Sequence, residues 1–88
     1  MYGVEKYLDI STAHIPPHLL NGECDCKIGN YPEGAFFYVP YMEDGEFIDE
    51  VPKELVEIFK YAFENECVII RFDRDGMEFK EFPVYYYE

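Results

Sequence analysis

The run Cys67-Val68-Ile69-Ile70-Arg71-Phe72 constrains this chain more than any other stretch, because it is apolar at nearly every position. A strand with one wet face alternates, whereas a near-continuous apolar run is what a central position in a sheet expects. Other strands must therefore flank it. The 88 residues leave room for one such sheet and one domain, spanning 1–88. A chain of that size buries only about 60–65% of the surface its unfolded form exposes, so its core is thin.

The remaining elements follow from period and punctuation. Tyr7-Leu8-Asp9-Ile10-Ser11-Thr12 alternates loosely and predicts a first strand. Between Ala13 and Gly34 the breakers Pro16, Pro17, Gly22, Gly29 and Pro32 predict a long irregular connection. A connection of that length is uncommon in a small domain, so it is either functional or contains a short helix near Pro17 to Asn21. Ala35 to Val39 reads as a second strand closed by Pro40, and an acidic turn runs from Tyr41 to Glu46. Pro52 suits the first position of a helix, with Asp49 or Glu50 as its cap.

In that helix Leu55, Phe59, Ala62 and Phe63 fall at i, i+4, i+7 and i+8, with Val51 and Ile58 beside them. Lys53, Glu54, Glu57, Lys60 and Glu64 lie opposite, which predicts an amphipathic helix ending near Asn65. Asp73-Arg74-Asp75-Gly76 then predicts a tight hairpin turn. Met77 to Phe82 alternates as the returning strand, and Pro83 leads into an extended aromatic tail, Val84 to Glu88. The expected fold is α+β: a small antiparallel or mixed sheet of about four strands with one main helix packed on one face, in the order ββαββ.

Charge restricts the class of partner. Nineteen Asp and Glu face seven Lys and Arg, for a formal net charge of -12. Direct binding to a nucleic-acid backbone needs basic residues that replace counterions, and an anionic membrane surface is equally disfavoured. A positively charged protein surface is the partner class left, though such acidity also serves solubility alone. No run approaches the ~18 apolar residues of a membrane span, and Met1 to Glu5 leads into no signal-peptide core. The cytoplasm is the expected compartment. Cys24, Cys26 and Cys67 form an odd set, so reduced thiols are expected in place of a disulfide framework.

Two constellations invite a chemical reading. His14, His18, Cys24 and Cys26 could supply four zinc ligands, or a thiol and its base. However, the Cys-x-Cys spacing is tight for a zinc site, and Pro16-Pro17 breaks the helix that would align the imidazoles. Glu23 and Asp25 would also raise the neighbouring thiols' pKa and blunt them. No cofactor and no catalytic residue is expected. Asp73 and Asp75 do not fit the calcium-loop template, because Arg71 and Phe82 fall where its first and last ligands belong.

The stronger pattern is acidic. Glu43, Asp44, Glu46, Asp49, Glu50, Glu54 and Glu57 place seven acids within fifteen residues, opposed only by Lys53. Glu50, Glu54 and Glu57 fall at i, i+4 and i+7 and are expected to line one helical side at ~5–6 Å intervals, a pitch that resembles a phosphate strand. A solvated helix face beside an acidic loop would carry the same residues. Tyr38 and Tyr41 flank the region and bring rings suited to a protein contact.

The stretches Leu8-Asp9-Ile10-Ser11-Thr12-Ala13-His14, Tyr31-Pro32-Glu33-Gly34-Ala35-Phe36, Pro52-x-x-Leu55-x-x-Ile58, Arg71-Phe72-Asp73-Arg74-Asp75 and Phe82-Pro83-Val84-Tyr85 resemble a family of small uncharacterised bacterial domains. Its members are carried in chromosomes and on mobile elements. The resemblance covers most of the chain and implies a shared fold without a transferable activity. It draws attention to Ser11, Thr12, His14, Asp73 and Asp75. In size and acidity the chain is also similar to phage-encoded anti-CRISPR proteins, several of which act as nucleic-acid mimics.

The expectation is therefore a non-catalytic interaction protein of phage or mobile-element type. It would inhibit a nucleic-acid-binding effector by occupying a basic groove with Tyr38, Tyr41, Glu43, Asp44, Glu46, Asp49, Glu50, Glu54 and Glu57. The alternatives are a zinc- or thiol-dependent enzyme built on His14, His18, Cys24 and Cys26, and a homodimeric assembly module.

Overall fold

In the computed structural model, which describes residues 5–85, the apolar run is strand β6 (Cys67–Asp73), with a neighbour on each side. β1 (Lys6–Ser11) pairs with it in parallel, and β3 (Gly34–Tyr38) pairs antiparallel along its other edge. β2 (Lys27–Tyr31) lies outside β3, giving a mixed sheet of order β1-β6-β3-β2. Register then decides which side chains share a face. Leu8 and Ile10 stand beside Ile70 and Phe72, which stand beside Phe37 and Ala35. This face is the core: Ile10, Ala35, Phe37, Ile70 and Phe72 are wholly buried.

Helix α2 (Val56–Glu64) covers that face through the expected stripe, with Leu55, Ile58, Phe59 and Ala62 buried. It is entered through a 3-10 turn, Lys53–Leu55, whose N-cap is Pro52, and no side chain caps it. The sequence reading of Asp49 or Glu50 as the cap is thus corrected, because Pro52, at ψ 137°, itself stands outside the helix and takes the cap position. At the far end Asn65 caps the helix, its side-chain amide donating to Tyr61 O at 2.8 Å. Glu66 then turns the chain into β6 at φ 63°.

The class, the four strands and the single main helix agree with the sequence reading, but the strands are distributed differently. Three strands precede the helix and one follows it, so the order of the four-stranded sheet is βββαβ in place of ββαββ. The missed strand is β2, inside the connection read as irregular. The short helix expected there is present as α1 (Pro17–Asn21). Its free C-terminal carbonyls draw the chain back: Lys27 Nζ donates to Leu20 O and Gly22 O at 2.7 and 2.6 Å, and Asn30 Nδ2 donates to Leu20 O at 2.9 Å. These bonds hold β2 beside β3 despite Gly29 and Pro32.

The Asp-Gly signal occurs twice, and the hairpin forms at the other copy. Asp44 and Gly45, at φ 55° and 82°, make the turn between β4 (Met42–Glu43) and β5 (Glu46–Phe47). Positive φ at both central residues is the turn whose twist matches a hairpin. Phe47 anchors it by setting its ring edge-on to Phe59 and Phe63, at 6.1 and 6.5 Å between centroids.

Gly76 instead lies against β1, where a Cβ would fall 2.5 Å from the Ile10 carbonyl carbon. Pressed there, the chain cannot fold back on β6, and Met77 to Phe82 runs as an irregular strap. Ser11 N–H donates to Met77 O at 2.9 Å and Tyr85 N–H donates to Ala13 O at 2.7 Å. Between them stands His14, fully buried. Its Nε2 accepts from Phe79 N–H at 2.9 Å, so Nδ1 carries the proton and donates to Pro83 O at 2.8 Å. Phe79 and Phe82 surround the imidazole and continue onto Tyr61 of α2. Of the expected aromatic tail, Tyr86 to Glu88 lies outside the described residues, as does the leading segment Met1 to Val4.

Two outcomes follow for stability. His14→Phe keeps a ring in the site but strands the Phe79 amide and the Pro83 carbonyl, and is expected to cost about 2–4 kcal/mol in urea unfolding. Glu66→Gly removes the left-handed strain of a side chain and a negative charge from the helix C-terminus. It is expected to raise stability by about 1 kcal/mol in the same measurement.

Candidate functional site

The acidic residues gather around the β4–β5 hairpin. The tight turn carries Glu43, Asp44 and Glu46 into solvent, and Asp49 and Glu50 follow in exposed chain. Gly45, Glu46, Asp49, Glu50, Val51 and Lys60 border a shallow groove of about 460 Å³ between hairpin and helix. A second depression, of about 340 Å³, is bordered by Glu23, Cys24, Asp25, Glu50 and Pro52. Glu50 belongs to both. Glu23 and Asp25, weighed in the sequence only as neighbours of thiols, are therefore part of the same acidic surface.

The bond that joins the two segments is legible only in three dimensions. Cys26 is fully buried, and its thiol donates to Glu50 O at 3.0 Å. Burial first, then the charges of Cys24, Asp49, Asp25 and Glu50, raise its pKa from 9.0 to about 11. A thiol so placed acts as a small core residue with one hydrogen bond.

Tyr41 and Ile48 stand at the hairpin base, 65% and 59% exposed, joined by a bond from Ile48 N–H to Tyr41 O at 2.9 Å. Tyr41 rests edge-on against Phe63 with 5.8 Å between centroids. The exposed acids of the hairpin lie between these two apolar residues in the chain, and exposed Asp49 follows them. Ile48 was not singled out in the sequence, where an isolated isoleucine among acids has no periodic signal. Tyr38 points to the opposite face of the sheet, half-buried. Its hydroxyl reaches Asp49 at 3.4 Å, and burial followed by the Asp49 charge raises its pKa.

One expected feature of the patch is corrected. Glu50, Glu54 and Glu57 do not form a helical row: Glu50 lies in irregular chain before the helix, Glu54 in the 3-10 turn, and only Glu57 in α2. The phosphate-like pitch is therefore absent, and the charge is concentrated by the hairpin. Among the described residues the one ion pair is Arg71–Asp9, at 2.8 Å on the far face of the sheet. The patch carboxylates thus keep their charge unpaired by any described lysine or arginine within 4.0 Å, although Lys60 borders one groove.

The residues weighed for zinc or thiol chemistry are not brought together. Both nitrogens of His14 are taken by the strap, His18 is exposed on α1, and the Cys26 thiol faces Glu50. Among the described residues no three His, Cys, Asp or Glu side chains are placed to share a metal ion.

The polar residues of the resembling stretches serve structure. Ser11 Oγ accepts from Ala13 N–H at 3.0 Å and starts the turn that carries His14. Asp73 accepts from the Tyr31 hydroxyl at 2.6 Å and from Asp75 N–H at 2.8 Å, and these bonds, in that order, hold its carboxyl below the ordinary range. Gly34, in the same stretches, passes so close to β6 that an added Cβ would overlap Phe72 O.

A group whose folded pKa is raised contributes stability that is complete below its unfolded value and lost as pH climbs through the folded one. For Cys26 that window runs from 9.0 to about 11. The stability of the native protein relative to Cys26→Ser is expected to fall across it, as followed by urea midpoints. At neutral pH, iodoacetamide is expected to label Cys24 well before Cys26, read by mass spectrometry.

No helix among the described residues is long and apolar enough to cross a membrane. No curated protein and no solved structure matches the chain. Residues 7–86 match the C-terminal domain of DUF5983, a family of unknown function, which takes in every element of the sheet from Tyr7 onward, the helix and the strap. The chain belongs to that family.

Proposed function

We propose that this domain is a non-catalytic protein-binding module that docks its acidic hairpin onto a basic surface of the kind that otherwise holds nucleic acid. The observation that carries the reading is the arrangement at the hairpin base. Tyr41 and Ile48 are exposed at the base of the hairpin whose turn carries Glu43, Asp44 and Glu46 into solvent, and exposed Asp49 follows in the chain. Solubility alone would be served by charge without exposed apolar side chains. Exposed apolar side chains beside exposed charged ones are what a protein interface combines. Glu50, Glu23 and Asp25 extend the negative surface along one flank, while Tyr38 supports it by holding Asp49.

In this reading, anti-CRISPR-like inhibition means competition for a cationic groove, with the carboxylates replacing phosphates in charge without copying their spacing. Attraction of this type speeds encounter and weakens with salt.

The test uses the domain immobilised against nucleic-acid-binding complexes from a host extract, in parallel with the variant Glu43→Lys/Glu46→Lys/Glu50→Lys and with Tyr41→Ala/Ile48→Ala. A complex retained by the native domain, displaced by duplex DNA and lost with both variants is expected. Retention indifferent to DNA and to charge reversal would sink the mimicry reading.

A further inference from the structure

The sheet has an open side as well as a covered one. Away from α2, its second face carries Tyr7, Asp9, Ile69, Arg71, Phe36 and Tyr38 in adjacent rows. Arg71 binds Asp9 through Nε and Nη2, at 3.3 and 2.8 Å, and its guanidinium lies 5.2 Å from the centre of the Tyr7 ring. Tyr7 is nonetheless 54% exposed, at the margin of a shallow, mainly apolar depression shared with Phe36, Val68, Ile69 and Arg71.

β1 is also an edge. Among the described residues its only strand neighbour is β6. Ser11 N–H points away from β6, to Met77 O. At the strand's period of two, Tyr7 and Asp9 turn their amides and carbonyls the same way. The strap thus closes the C-terminal end of this edge and leaves Tyr7 to Asp9 able to take another strand.

We propose that the occupant is a second copy of this chain, joined through antiparallel pairing of β1 with β1 about a two-fold axis at Leu8. In that register the outward-facing Tyr7 stands opposite Asp9 of the second copy, and the reverse. Pairing residues of like direction meets the hydrogen-bonding requirement of an antiparallel ladder and keeps both open faces on one side. The row Tyr38-Ile69-Tyr7 of one copy then continues into Asp9-Arg71-Phe36 of the other. Each exposed Tyr7 gains an ion pair to pack against, and two sheets of four become one of eight.

Charge favours this edge over the other. Asp9 is already neutralised by Arg71. Glu23 and Asp25 lead directly into β2, at the opposite edge, and share their depression with Glu50. Three strand spacings, about 14 Å, separate β1 from β2, more than the Debye length of about 8 Å at physiological salt. Pairing at β1 therefore sends the two acidic flanks to the outer ends of the assembly.

Sedimentation equilibrium of the native protein is expected to give the mass of two chains. Tyr7→Pro removes the outward amide that the pairing uses and spares the bonds to β6, and is expected to weaken the dimer about tenfold or more, with an unchanged far-UV spectrum. Tyr7→Phe, which keeps both the amide and the ring, is expected to retain it. A native protein that sediments as one chain at its highest soluble concentration overturns the proposal. So does a folded Tyr7→Pro variant that dimerises as tightly as the native chain.

Discussion

The backbone ladders on either side of β6 determine where everything else in this molecule stands. A strand paired in parallel with β1 and antiparallel with β3 fixes two registers at once. Those registers separate Leu8, Ile10, Ala35, Phe37, Ile70 and Phe72 from Tyr7, Asp9, Phe36, Tyr38, Ile69 and Arg71. A slip of one residue would exchange the sets, setting Arg71 under the helix and Phe72 in water. Gly34 shows how tight the fit is, since the approach of β3 to the Phe72 carbonyl leaves no room for a methyl group.

On that frame α2 is braced from two directions by aromatic side chains. Phe47 and Tyr41 meet it from the hairpin through Phe59 and Phe63, and Phe79 and Phe82 meet it from the strap through Tyr61. A thin core gains lateral support in this way without a second helix. The acidic hairpin is therefore presented by a packed ring, Phe47, and by the Cys26 bond to the Glu50 carbonyl, so its carboxylates project from a fixed base.

What the sequence made legible was whatever depends on neighbours along the chain. The stripe from Leu55 to Ala62 and the apolar run of β6 are periodic signals, and both appear where expected. β2 was not legible, because its pairing depends on Lys27 and Asn30 reaching the carbonyls of α1. The two Asp-Gly pairs look alike in sequence. They differ in that Phe47 finds a groove beside α2 while Gly76 is held against Ile10. Of the candidate site, the hairpin acids were readable as a cluster. Glu23, Asp25 and Ile48 were not, since they join it only through the fold. His14 drew attention as a possible ligand, yet its nitrogens are occupied by main-chain groups from far along the chain.

The strap has a consequence for how freely this domain can vary. Its contributions to the anchoring bonds are main-chain atoms throughout: the Met77 carbonyl, the Phe79 amide, the Pro83 carbonyl and the Tyr85 amide. Apart from the two rings that pack inward, its side chains, such as Glu78, Lys80, Glu81 and Val84, point to solvent. Such a segment keeps its path while its lettering changes. It offers a short, rigidly held stretch on which new surface chemistry can be written without disturbing the barrier between core and water.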